Sequence, residues 1–86
     1  MKPVRMYTTH YCPYCRAAKA LLDRKGAAYE EIDVTGDDGE RERLTRRTGQ
    51  RTVPQIFIGS THVGGFSDLE ALDRAGKLDA LLADSP

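Results

Sequence analysis

The chain has 86 residues, 40% hydrophobic and 30% charged, and carries only two cysteines. That size and mix describe one soluble globular domain spanning 1–86, large enough for a modest core without disulfide staples. Thirteen basic residues balance thirteen acidic ones, which removes any electrostatic case for nucleic acid as a general partner.

No run approaches the roughly 18 apolar residues of a membrane span, so no membrane association is expected. The start Met1-Lys2-Pro3-Val4-Arg5 lacks the apolar stretch of a secretory signal. A reducing cytoplasm is the expected compartment, and there a CxxC is expected to be catalytic.

In chain order, Val4-Arg5-Met6-Tyr7 reads as a short strand, and Cys12-Pro13-Tyr14-Cys15 follows at the start of a helix over about Pro13 to Lys25. Proline suits the first helical position, where its missing N–H would have no partner. Cys12 then sits at the N-cap. The free N–H groups of Tyr14 and Cys15 point toward its sulfur, and the positive end of the helix dipole favours an anion there. A thiolate is the species that attacks disulfides. Cys15 lies one turn on, close enough to close a small ring. The motif reads as a redox-active dithiol. A structural disulfide over so short a loop would remove little chain entropy. A zinc site completed by His10 and His62 would call for a second CxxC or an HxxxH, and neither is present.

The first helix presents Ala17, Ala18, Leu21 and Leu22 as its buried stripe and ends at Lys25-Gly26. Ala28 to Val34 returns as a strand, which completes a βαβ unit and hence a parallel pair. Asp37 and Glu40 form a capping box for a second, highly charged helix to about Thr48, closed by Gly49, with Leu44 its clearest core contact. Crowded arginines at 41, 43, 46, 47 and 51 mark this part of the chain; most belong to a solvated face. Thr52 to Ile58 and Thr61 to Val63 read as an antiparallel hairpin turned at Gly59-Ser60. Gly64-Gly65 permits unusual backbone angles or close approach of a ligand. Ser67-x-x-Glu70 reads as another capping box, opening a helix to about Ala75. Gly76 breaks it, Leu78 to Ala83 forms a last turn, and Asp84-Ser85-Pro86 is expected to fray.

The order β-α-β-α-β-β-α with CPYC at the first helix resembles the thioredoxin fold, an α/β arrangement with a four-stranded mixed sheet and helices on both faces. Within it, the chain is similar to the dithiol glutaredoxins of the small bacterial type. The features that carry the likeness are Tyr7-Thr8, Cys12-Pro13-Tyr14-Cys15, Thr52-Val53-Pro54, and Gly64-Gly65 followed by Ser67-Asp68.

The resemblance implies a glutathione-dependent thiol–disulfide oxidoreductase with Cys12 as nucleophile and Cys15 as resolving cysteine. Glutathione would be the reducing co-substrate, with no metal. It implies a cis peptide before Pro54, and Val53 pairing through its backbone with the peptide part of glutathione. Gly65, Phe66, Ser67 and Asp68 would hold the γ-glutamyl end, with Tyr14 and Thr52 flanking the pocket. The expected partners are glutathione and glutathionylated or disulfide-containing proteins, met by a monomer. Many relatives carry lysine three residues before the nucleophile, where this chain has Thr9. The helix N–H groups, Arg16, Arg51 or an arginine of the second helix would then take over its work. A donor fed by thioredoxin reductase and a glutathione-ligated iron–sulfur carrier are the alternatives. The GG-x-S-D signature speaks against the first, and Pro13 against the second.

Overall fold

The structure, a computed structural model, describes residues 2–83; the tripeptide Asp84-Ser85-Pro86 lies outside the described residues. The elements run β1 (Val4–Thr8), α1 (Pro13–Arg24), β2 (Tyr29–Asp33), α2 (Asp38–Thr48), β3 (Gln55–Ile58), β4 (Thr61–Gly64), α3 (Phe66–Arg74) and α4 (Leu78–Leu82). The strands form one sheet in the order β2-β1-β3-β4. β1 pairs parallel with β2 and antiparallel with β3, and β3 pairs antiparallel with β4. The sheet is therefore mixed, as the sequence pattern implies, and α4 is a helix of its own where a last turn was expected.

Alternation along the strands separates two cores. Val4 and Met6 of β1 and Ile56 and Ile58 of β3 meet Ala18, Leu21 and Leu22 of α1, Leu69 of α3, and Leu78 and Leu82 of α4. Tyr7 points the other way, to Val34 and Leu44, with Ile32, Val53 and Phe57 packed around them. So α1, α3 and α4 cover one face and α2 the other. Leu44 is the only buried residue of α2, and burying one leucine is worth about 1.5–3 kcal/mol. The rest of α2 is capped and charged. The Asp37 carboxylate accepts the Glu40 N–H at 3.0 Å, Glu40 and Glu42 pair with Arg43 and Arg46, and Gly49 turns left-handed at φ 77°.

Two boundaries differ from the sequence reading. β3 begins at Gln55, not Thr52: Pro54 has no N–H to give a ladder, and the Val53 carbonyl accepts from the Cys12 thiol. The Val53–Pro54 peptide is cis, as the resemblance implies. The N-cap of α3 lies two residues earlier than Ser67. It is Gly65, and the Asp68 carboxylate (Oδ2) accepts the Gly65 N–H at 2.9 Å. Ser-x-x-Glu and Gly-x-x-Asp are overlapping patterns here, and the shorter aspartate is the one that reaches back.

Candidate active site

Cys12 has the extended backbone of an N-cap, φ −98° and ψ 112°, with Pro13 opening the helix behind it. Its sulfur accepts the Cys15 N–H at 3.3 Å. Of the two N–H groups expected there, only that of Cys15 makes the bond. The same Cys12 thiol lies 3.6 Å from the Val53 carbonyl oxygen, to which it donates. The Cys12 backbone is fixed at both ends, its N–H donating to the Thr9 carbonyl and its carbonyl accepting from the Arg16 N–H.

The two thiols are free and differ sharply in access: Cys12 is half-buried and Cys15 is 1% exposed. Burial pushes the Cys15 thiol up to about 12, and the neighbouring Cys12 sulfur adds to the rise. In the α1 stripe Cys15 takes the fully buried place expected for Ala17, which is only half-buried.

Beside Cys12 opens a groove of about 290 Å³ lined by Tyr14, Gln50, Thr52, Val53, Pro54, Gly65, Phe66, Ser67 and Asp68. All eight residues singled out in the sequence beside the cysteines thus meet in one place, and Val53 links them to the nucleophile. Three separated segments build it: the start of α1, the cis-proline loop and the start of α3. Gln50 is the lining residue that the sequence reading missed. It carries no motif, and it reaches the groove because its loop is tied down, its N–H by the Thr48 hydroxyl at 3.1 Å and its carbonyl by the Gln55 amide at 2.8 Å. The N–H groups in the first turn of α3 have no partner within the helix and face an anion readily.

Gly64 makes the α3 corner possible. Its φ is +114°, and a Cβ there would run into the Asp68 carboxylate.

The residues considered for the work of the missing lysine are dispersed. Arg16 is exposed on α1. Arg51 lies with Arg41, Asp38, Glu42 and Thr45 around a separate depression. His10 faces Asp33 at 3.8 Å, and His62 meets the Gln55 side chain at 3.2 Å. Thr9 itself is 3% exposed, so this is not the open surface position that a lysine substitution would exploit. Its hydroxyl is buried with no partner among the described residues. A buried hydroxyl without a hydrogen bond costs about 1–3 kcal/mol. Thr9→Val, nearly the same shape, should therefore raise stability by about 1 kcal/mol, or several degrees in Tm. A fall in Tm on thermal unfolding would show that the hydroxyl is bonded.

Two thiols one helical turn apart, one reachable and one shielded, on a thioredoxin-like sheet define a dithiol that performs thiol–disulfide exchange. The chain belongs to the glutaredoxin family. The family model described as Glutaredoxin matches residues 4–63. Glutaredoxin of Pseudomonas aeruginosa is 59% identical over 83 residues, covering 96% of this chain and 99% of that one. Glutaredoxin 3 of Escherichia coli K12 is 50% identical over 82 residues, covering 95% and 99%. Among solved structures, a buckwheat glutaredoxin–glutathione complex superposes with a TM-score of 0.88 at 39% identity, covering 94% of this chain and 76% of that one. The solution structure of Brucella melitensis glutaredoxin gives 0.85 at 55% identity, covering 95% and 89%. Membership carries thiol–disulfide oxidoreductase activity with the cysteine pair at 12 and 15, and the family uses glutathione.

Proposed function

We propose that this protein reduces protein–glutathione mixed disulfides and protein disulfides, with glutathione as its reductant. The carrying observation is the groove lined by Val53 and the start of α3, with the Cys12 sulfur 3.6 Å from the Val53 carbonyl oxygen. Glutathione lies along it in this reading. The Val53 backbone pairs with its peptide part, and Thr52, Pro54 and Tyr14 flank it. Gly65, Phe66 and Ser67 receive its α-carboxylate while Asp68 meets its ammonium. That a buckwheat relative was solved as a glutathione complex supports glutathione as the ligand.

In the one-cysteine route, the Cys12 thiolate attacks the glutathione sulfur of a mixed disulfide and releases the client thiol. A second glutathione then attacks the Cys12-bound sulfur, and oxidised glutathione leaves. In the two-cysteine route, Cys12 attacks a protein disulfide and Cys15 displaces the client, leaving the Cys12–Cys15 disulfide for glutathione to reduce. The protein acts as a monomer in a reducing cytoplasm. Turnover of a small glutathione mixed disulfide, coupled to glutathione reductase, tests the reading. Turnover with thioredoxin reductase and none with glutathione would overturn it.

Asp68 holds two positions in this account, helix cap and ammonium partner, and two substitutions separate them. Asp68→Asn keeps an acceptor for the Gly65 N–H and removes the charge. It should raise the KM for glutathione about two- to five-fold, the range of an exposed charge pair, with Tm nearly unchanged. Asp68→Ala should add a loss of about 1 kcal/mol for the cap. If Asp68→Asn leaves KM where it was, Asp68 is a cap and no more.

A further inference from the structure

Outside the groove, one charged cluster sits next to the buried cysteine, and neither route above uses it. Lys19 follows Cys15 by four residues on α1, so the two side chains rise from the same face of the helix. Its Nζ pairs with Glu31 of β2 at 2.5 Å. The same carboxylate oxygen accepts a hydrogen bond of 2.7 Å from the hydroxyl of Thr8, a side chain buried at the end of β1. Strand alternation puts Glu31 on the same sheet face as Tyr29, which packs in the α1 core. Thr8, Glu31, Lys19 and Cys15 thus converge where α1 crosses the β1–β2 pair.

The pair stays charged through neutral pH. Lys19, followed by the Thr8 hydroxyl, holds the Glu31 carboxyl below the usual carboxylate range, and Glu31 holds the Lys19 ammonium above its own. An ammonium at this spot therefore has a fixed place.

We propose that Lys19 is a positioning residue for the second cysteine: a tethered cation that favours the Cys15 thiolate as it closes on Cys12. The inference rests on the two-cysteine route. In that step the Cys15 sulfur bonds to the Cys12 sulfur, and the bond from Cys12 to the client sulfur breaks. The departing client thiolate takes up the proton that Cys15 gave up, so no further oxidant or reductant enters. Burial, and then the neighbouring Cys12 sulfur, oppose this step by keeping Cys15 protonated. The backbone of Thr9 and then the Lys19 charge act against that rise, and Lys19 is the one side-chain cation among them. Tyr29 bears on Lys19 and Asp33 on Glu31.

Closure can be read without glutathione. Reduced protein mixed with a chromogenic aromatic disulfide, dithiobis(nitrobenzoate), releases one coloured thiolate when Cys12 attacks and a second when Cys15 closes. Lys19→Met should leave the first phase unchanged and slow the second about two- to five-fold, the scale of a partly exposed charge. Lys19→Arg should restore it. Glu31→Gln breaks the same ion pair but keeps the ammonium and an oxygen for Thr8, so closure should run at or above the wild-type rate. Equal slowing in Lys19→Met and Glu31→Gln would make the pair a scaffold and overturn the proposal, as would an unchanged second phase in Lys19→Met. Wild-type closure should also slow with added salt, which screens the cation; a salt-independent second phase overturns the proposal without any variant. Failure of the glutathione reading would look different, with two normal coloured phases and no turnover in the coupled assay.

Discussion

Cys12→Ser should abolish turnover of every substrate, whereas Cys15→Ser should keep deglutathionylation and lose most reduction of protein disulfides. The asymmetry follows from access. Cys12 stands half-buried at the open end of α1, with its sulfur held by the Cys15 N–H, while Cys15 is sealed a turn behind it. A hydroxyl in place of the Cys12 sulfur can neither ionise usefully near neutral pH nor form a mixed disulfide. Removal of Cys15 spares the one-cysteine route, where a second glutathione does the displacing. With its thiol pushed up to about 12, Cys15 holds its proton at neutral pH, so brief alkylation should mark Cys12 alone. Parallel kinetics on a glutathione mixed disulfide and a protein disulfide decide the matter. Equal loss of deglutathionylation in both variants would contradict the assignment.

The largest structural effect is expected at Gly64, and its neighbour supplies the control. Gly64→Ala puts a side chain at φ +114° and drives its Cβ into the Asp68 carboxylate. Backbone strain of this kind costs about 1–3 kcal/mol, and displacing the cap of α3 adds about 1 kcal/mol. Together these should lower Tm by roughly 10 °C or more in a domain of this size. They should also raise the KM for glutathione, since the start of α3 is one wall of the groove. Gly65→Ala is different. Its Cβ would stand 3.6 Å from the Pro54 carbonyl, an ordinary contact, on a backbone at φ −93°. That variant should lose about 0.5–1 kcal/mol, the difference between glycine and alanine at an N-cap, with no clash to add to it. Matching losses at the two positions would show that the corner geometry at Gly64 is not what holds α3.

Much of the site is legible in the sequence because its parts are residue types with few other uses in those settings. A CxxC at a helix start, a proline opening a strand and a glycine pair before a helix each declare a local backbone state. The eight groove residues come from the likeness of these motifs to the glutaredoxin family, because the local backbone states alone would equally suit an ordinary turn and an ordinary capped helix. What escapes the sequence is set by tertiary contact. Gln50 enters the groove only because the Thr48 hydroxyl and the buried Gln55 amide hold its loop. Thr9 carries no burial signal in the sequence, yet it is 3% exposed in the fold. The α3 cap is misplaced by two residues because Ser67-x-x-Glu70 satisfies the sequence rule as well as Gly65-x-x-Asp68 does, and side-chain reach decides between them. The start of β3 moves because Thr52, Val53 and Pro54 line the groove and make no ladder pairs.

The groove draws on residues near 12, near 52 and near 66, held apart along the chain and brought together by the fold. Cys12 follows a central strand that is itself placed by partners on both sides, β2 at Tyr29–Asp33 and β3 at Gln55–Ile58. A fragment that lacks any one of these segments lacks a wall of the groove, so splitting the chain between them could yield a working enzyme only where the halves re-form the sheet.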